Sequence, residues 1–182
     1  MERHRDGIPG CFDVLVERYK RKLFGFLRRM GFTSARAEEL TADVFFKVHK
    51  AAPRYQPTAK FSTYVYTVAR RAGLNAQDRM AHRLEVAAGG HEMDLGPGRT
   101  IDVERQLAAK RSVALLEREL ARLPEGHRAA FSLYYGDGLS CAAVADVLEI
   151  SPAEAKGRLA YARKLLRQRL AGQVPEATST ES

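Results

Sequence analysis

Apolar residues recur every three or four positions in three segments of the amino-terminal half, which is the spacing of amphipathic helices. The first segment ends at Gly31, the second follows a cap at Thr33 or Ser34 and stops before Pro53, and the third starts near Ser62. Three helices that pack on one another are therefore predicted to form a first domain over residues 1–83.

Residues 84–107 show little periodicity and contain Gly89-Gly90 and Gly96-Pro97-Gly98. This stretch is predicted to be a flexible acidic linker. Helical periodicity resumes in a second domain, 108–171, where Pro124 and Gly126 indicate a turn before the next helix. The tail, 172–182, is polar and is predicted to be disordered.

The second domain contains the pattern of a helix-turn-helix. After a turn at 136–138, Ser140 can cap a short helix to Leu148, and Ser151 begins a second helix with Pro152 at its first position and Glu154 completing a capping box. One apolar seam joins both helices: Val144, Ala145, Leu148, Ile150, Ala155, Leu159, Ala162 and Leu166. No segment shows strand-like alternation. The predicted fold is therefore all-α, with two small helical domains joined by a flexible linker and the helix-turn-helix in the second.

The face opposite this seam on the second helix combines small and cationic residues. It consists of Ala153, Lys156, Gly157, Ala160, Tyr161 and Lys164, flanked by Arg158, Arg163 and Arg167. Small residues allow close approach to a DNA groove, and cations suit phosphates. The alternative is an ordinary basic helix on a bundle. Glu154 likewise has two interpretations, an acceptor for a cytosine amino group or only a member of the capping box.

The formal net charge is +8, with +9 in residues 10–83, −3 in 84–107 and +4 in 108–171. Two basic blocks indicate a polyanionic partner such as DNA. Apolar runs are too short for a membrane helix and the first ten residues lack a secretory core, so no membrane insertion and a cytoplasmic location are expected. Scattered histidines and two cysteines, Cys11 and Cys141, predict no metal site, cofactor, small-molecule substrate or catalytic residue.

The residues also resemble a known family, the extracytoplasmic-function (ECF) sigma factors of RNA polymerase. The similarity lies in 12–19, 37–45 and 61–70 of the first domain and in 123–131, Tyr134, 138–140 and 159–163 of the second. It covers about three quarters of the chain in the family's order. The resemblance implies a non-enzymatic protein that binds core RNA polymerase and directs promoter recognition, DNA melting and transcription initiation.

The resemblance also implies roles for individual residues. The second helix would bind core polymerase through Glu38, Glu39, Leu40, Asp43 and Phe45, although the two glutamates also suit the helix dipole. The minus-ten element would be contacted by Lys60, Phe61, Tyr64, Arg70, Arg71 and Asn75, with core packing as the alternative for the aromatic residues. The minus-thirty-five element would be read by Ala153, Glu154, Lys156, Gly157, Arg158, Tyr161, Arg163 and Lys164. An anti-sigma factor is a further implied partner.

Several residues depart from the family pattern. Arg71 stands where the family commonly has an Asn that captures a flipped base, and Glu149 stands where Gly serves the helix-turn-helix turn. Ala42, Tyr64 and Ala143 stand where Gln, Trp and Glu are frequent. Two other functions stay open, the first of them because of Arg71, Glu154 and Gly157. One is a sigma-like protein that binds polymerase or an inhibitory partner without directing initiation, and the other is a simple helix-turn-helix regulator that binds duplex DNA as a dimer.

Overall fold

The computed structural model describes residues 1–86 and 114–171, without the side chains of 83–86, and these residues form helices and turns with no strand among them. The elements are α1 (Glu2–Arg5), α2 (Cys11–Arg29), α3 (Ser34–Lys50), a 3-10 turn (Ala52–Arg54), α4 (Phe61–Val86), α5 (114–121), α6 (Glu125–Phe131), a π-helical turn (Ser132–Gly136), α7 (Cys141–Leu148) and α8 (Pro152–Leu170). The predicted all-α class is confirmed. Residues 84–86 of the predicted linker are the last turn of α4, whereas its remainder and the predicted tail lie outside the described residues.

Helices α2, α3 and α4 pack together around apolar side chains from all three. Thr33, rather than Ser34, is the cap of α3, because its hydroxyl accepts a hydrogen bond from the Arg36 N–H at 3.3 Å. Gly31 follows α2 with φ near 102°, a conformation that favours glycine. The predicted three-helix domain is present, with these buried residues: Leu23, Phe26, Leu27, Ala37, Leu40, Val44, Val48, Val65, Tyr66 and Ala69.

Helices α5 to α8 form the second group. The prediction of a turn at Gly126 is wrong, because α6 already begins at Glu125 and Gly126 lies in its first turn. Pro124 precedes the helix, and its carbonyl accepts hydrogen bonds from the N–H groups of His127 and Arg128 at 2.9 and 3.0 Å. Pro124 therefore lies immediately before the first residue of α6, and no longer turn separates the two.

The two groups of helices are in direct contact. Helix α7 packs between α4 and α8, and Leu139, Val144 and Val147 belong to the same continuous apolar cluster as the core of the first domain. A smaller cluster, Leu120, Leu123, Ala162 and Leu166, lies between α5 and α8. We call this packing of α7 on α4 the closed arrangement.

Candidate nucleic-acid interface

The outward face of α8 lies as predicted. The Ser151 hydroxyl accepts a hydrogen bond from the Glu154 N–H at 3.1 Å and begins the helix. Ala155, Leu159, Ala162 and Leu166 are buried. Because these four positions face inward, the opposite stripe is presented to solvent, and its members are all exposed: Ala153, Lys156, Gly157, Ala160, Tyr161 and Lys164.

Glu154 does not complete the predicted capping box. Its carboxylate accepts a hydrogen bond from Arg158 at 2.6 Å, one turn along α8, instead of one from the backbone of Ser151. Only half of the reciprocal box is formed. The pair offsets the charge of Arg158, so Lys156, Arg163 and Lys164 supply most of the positive charge on this part of α8.

The two predicted minus-ten aromatic residues lie in an aromatic cluster at the start of α4. Phe61 is 5.3 Å from Tyr19 between ring centroids, and Tyr64 is 5.2 Å from Tyr55. Both Phe61 and Tyr64 are half-buried, and burial raises the pKa of Tyr64. One side of each ring therefore packs in the domain while part remains accessible, which combines the two interpretations that the sequence left open.

The predicted minus-ten polar residues are mostly exposed, namely Lys60, Arg71 and Asn75, with Arg70 half-buried. Arg71 is ion-paired with Glu149 of the helix-turn-helix turn at 2.5 Å. Glu149 has φ near 55°, so this non-glycine residue adopts the left-handed conformation. The hydrogen bond and charge of Arg71 hold the pKa of the Glu149 carboxyl below its usual value.

A second ion pair joins the two domains, and the sequence analysis did not predict it. Arg29 of α2 donates a hydrogen bond to Asp137 at 2.8 Å, and the Asp137 side chain is only 3% exposed. Burial raises the pKa of Asp137, while Arg29, Tyr66 and Lys22 oppose that rise. Burial, and then the charge of Asp137, raise the pKa of Tyr66. Nothing in the local sequence could identify this pair, since its members lie 108 positions apart.

The predicted polymerase-binding residues on α3 fall into two sets. Glu38, Glu39 and Asp43 are exposed, whereas Leu40 and Phe45 are buried in the core. The adjacent Phe46 is 59% exposed, and the ammonium of Lys50 lies 4.7 Å from its ring centroid. The helical periodicity could have identified Phe46, because it lies opposite the inward positions Ala37, Leu40, Val44 and Val48.

Within the described ranges, 1–86 and 114–171, no helix is long and apolar enough to cross a membrane. The same residues contain no group of three or more His, Cys, Asp or Glu side chains that could hold a metal ion. Cys11 and Cys141 are free and half-buried.

The sequence matches known sigma factors along most of its length. Models of sigma-70 region 2 and sigma-70 region 4 match residues 15–81 and 114–166. The RNA polymerase sigma factor CarQ of Myxococcus xanthus is 31% identical over 171 residues, covering 93% of this chain and 95% of CarQ. The RNA polymerase sigma-H factor of Pseudomonas aeruginosa is 26% identical over 183 residues, covering 97% of this chain and 95% of that factor.

Solved structures share the fold. The sigma factor RpoE in its co-crystal with the anti-sigma factor NepR from Bartonella quintana has a TM-score of 0.74 and 16% identity, covering 90% of this chain and 98% of that one. CnrH in complex with the cytosolic domain of CnrY has a TM-score of 0.68 and 19% identity, covering 93% and 94%. From its two matched regions and its similarity to CarQ over nearly the whole chain, this protein belongs to the ECF sigma factors of RNA polymerase.

Proposed function

We propose that this sigma factor reads promoters through two surfaces, the outward stripe of α8 and the aromatic start of α4, while the exposed face of α3 binds core polymerase. The stripe of α8 is the observation that carries the proposal. Its small residues leave room for a groove, since a Cβ at Gly157 would meet nothing within 4 Å. Its cations can contact phosphates on either side.

For the minus-thirty-five element, the contact residues are those of the stripe and its flanks: Ala153, Glu154, Lys156, Gly157, Arg158, Tyr161, Arg163 and Lys164. Helix α7 crosses behind α8 and supports it, as the first helix of a helix-turn-helix does when the second enters the major groove. Glu154 acts by orienting Arg158 rather than by accepting from a base, because its carboxylate is already engaged.

For the minus-ten element, the accessible parts of Phe61 and Tyr64 can support unstacked bases of single-stranded DNA. Lys60, Arg70 and Arg71 can neutralise phosphates, and the exposed amide of Asn75 can pair with a base edge. In the closed arrangement Arg71 is held by Glu149, so its contact with DNA requires this pair to break.

For core polymerase, the surface is the exposed side of α3, which carries Glu38, Glu39 and Asp43 together with the apolar Phe46. An exposed aromatic ring with a charged rim has the composition of a protein interface. Buried Leu40 and Phe45 contribute by holding α3 in place.

The remaining roles proposed for the chain are those of ECF sigma factors. The chain acts by binding and not by catalysis, and it works in the cytoplasm, where promoter DNA and polymerase are. An anti-sigma factor is proposed as a regulatory partner, since the structures of similar fold, RpoE and CnrH, were solved with NepR and with the cytosolic domain of CnrY.

Run-off transcription with core polymerase on a promoter library tests the proposal. We expect the wild-type chain to produce defined starts that share two upstream elements. The double substitution Lys156→Gln/Lys164→Gln should weaken promoter binding and reduce the salt slope by about 2, one per lost phosphate contact. The matched control, Arg3→Gln/Arg18→Gln, removes the same charge from α1 and α2 and should leave the slope unchanged. Association with polymerase without any starts would favour the non-initiating alternative.

A further inference from the structure

The first turn of α6 lies against the outward face of α8. A Cβ built on Gly126 would meet a guanidinium nitrogen of Arg158, so the arginine side chain lies directly beside this glycine. On its other side, Arg158 donates to the Glu154 carboxylate at 2.6 Å. Arg158 is thus held between its own helix and α6.

The next residue of α6 contacts the stripe itself. The His127 ring lies 4.7 Å from the Tyr161 ring between centroids, tilted by 52°. Tyr161 is 47% exposed and lies on the face of α8 proposed to enter the groove. Packing against His127 restricts the rotation of the Tyr161 side chain, which would otherwise be free in solvent.

The chemistry of His127 suits this contact. Burial and then the positive charge of Arg158 lower the pKa of His127, and Arg158 and Tyr161 of α8 are the charged and titratable groups that face it. At neutral pH the imidazole is therefore uncharged. A neutral ring can pack on Tyr161 without adding a second cation next to Arg158.

We propose that His127 is a positioning residue for promoter readout, which orients Tyr161 towards the bases of the minus-thirty-five element. Gly126 contributes to the same contact between α6 and α8, because the absence of a side chain there leaves room for Arg158. This inference rests on the proposed contact of α8 with duplex promoter DNA. Through His127, the base preference at one position of the promoter depends on α6, a helix outside the helix-turn-helix.

The experiment uses the full chain with core polymerase and a promoter library randomised across the upstream element, in which a barcode in the transcribed region identifies each promoter, and the transcripts are sequenced. The substitution His127→Ala should lower the preference for the favoured base at one position by about fivefold or more. Tyr161→Ala should change the preference at the same position. Because the two residues act through one contact, His127→Ala/Tyr161→Ala should add little to Tyr161→Ala.

The substitution His127→Phe separates positioning from general stability, since it keeps an aromatic ring against Tyr161 and should restore the wild-type base preference. Glu125→Gln, in the same turn of α6, is the control and should leave the preference unchanged. Loss of the preference in His127→Phe as in His127→Ala would overturn the inference. So would a wild-type preference in His127→Ala alongside a changed one in Tyr161→Ala.

The proposed function fails in a distinguishable way. If neither Tyr161→Ala nor Lys156→Gln/Lys164→Gln affects upstream preference or binding, α8 does not contact DNA, and the positioning role fails with it. If these α8 variants have their expected effects and only the His127 variants do not, the DNA surface stands and the role of His127 is wrong.

Discussion

The guanidinium of Arg71, on α4, donates two hydrogen bonds to one carboxylate oxygen of Glu149, at 2.5 Å from Nη2 and 3.1 Å from Nε. The sequence singled out both residues as departures from the ECF pattern, and the structure shows that they contact each other. One residue comes from the proposed minus-ten surface and the other from the turn of the helix-turn-helix. In the closed arrangement this pair holds Arg71, so the proposed contact of Arg71 with DNA requires the pair to break.

Reversing one charge of this pair should weaken the closed arrangement only slightly, because the pair is exposed while the apolar contact of α7 with α4 remains. In Glu149→Arg, two guanidinium groups would face each other, and small-angle X-ray scattering should show a small increase in the radius of gyration over that of the wild type. The exchange Arg71→Glu/Glu149→Arg restores opposite charges and should recover the compact value. Because both side chains are exposed, salt should weaken the wild-type contact as well.

The pairing is irrelevant to closing if Glu149→Arg remains as compact as the wild type at low salt. Asp146→Arg is the control, since it places the same charge at an exposed position of α7 near the turn. It should not change the radius of gyration.

Closing should also depend on pH through Asp137. Its pKa is raised by burial in the closed arrangement, whereas in an opened chain it would have its ordinary value of 3.8. The closed form thus binds protons more readily, so closing becomes more favourable as pH falls from neutral through the raised pKa, and the gain ends below 3.8. Scattering in a titration from neutral pH towards the ordinary value of 3.8 should show progressive compaction.

The titration of Glu149 does not mask the effect of Asp137 on closing. Its pKa is lowered by Arg71, so its pair is lost only when pH falls through that lowered value, below the ordinary 4.5. Asp137→Asn removes the titrating group and should abolish the compaction with pH. Expansion of the wild type on mild acidification, or an unchanged response in Asp137→Asn, would contradict the assignment.

The adjacent phenylalanines of α3 should respond differently to truncation. Phe45 is 7% exposed, and Phe45→Ala should lower the free energy of unfolding by about 3 kcal/mol, as measured by urea denaturation. Phe46 is 59% exposed, and Phe46→Ala should change that free energy by less than about 0.5 kcal/mol.

Binding to core polymerase should depend on Phe46, although the free energy of unfolding does not. Because this ring is the exposed apolar group of the proposed interface, Phe46→Ala should weaken binding about tenfold. Equal affinity of Phe46→Ala and the wild type, measured by fluorescence anisotropy, would place the polymerase surface elsewhere.

The cap of α3 provides a local test of the fold. Thr33→Ala removes the acceptor of the Arg36 N–H and should cost about 1 kcal/mol of stability. Ser34→Ala, one residue later, removes a hydroxyl that makes no capping bond and should cost less than about 0.5 kcal/mol. Equal losses in the two variants would mean that the cap is shared.

The sequence alone predicted the longer helices of both domains, the capped starts at Ser140 and Ser151, and the inward and outward faces of α8, whereas α1 was not predicted. These features depend on residues within one or two helical turns of each other. The local sequence therefore predicts them from its periodicity and its capping residues. Gly126 was misplaced because a glycine near a proline suits both a turn and the first turn of a helix.

Only the tertiary structure decided which surfaces of the two domains meet. The pairs Arg29–Asp137 and Arg71–Glu149 join residues 108 and 78 positions apart, and no local pattern specifies such a partner. Val147 likewise becomes buried because α7 has apolar residues on two sides and packs between two helices. Hydrophobic burial is non-directional, so the sequence can indicate that a surface is covered, while the three-dimensional packing determines what covers it.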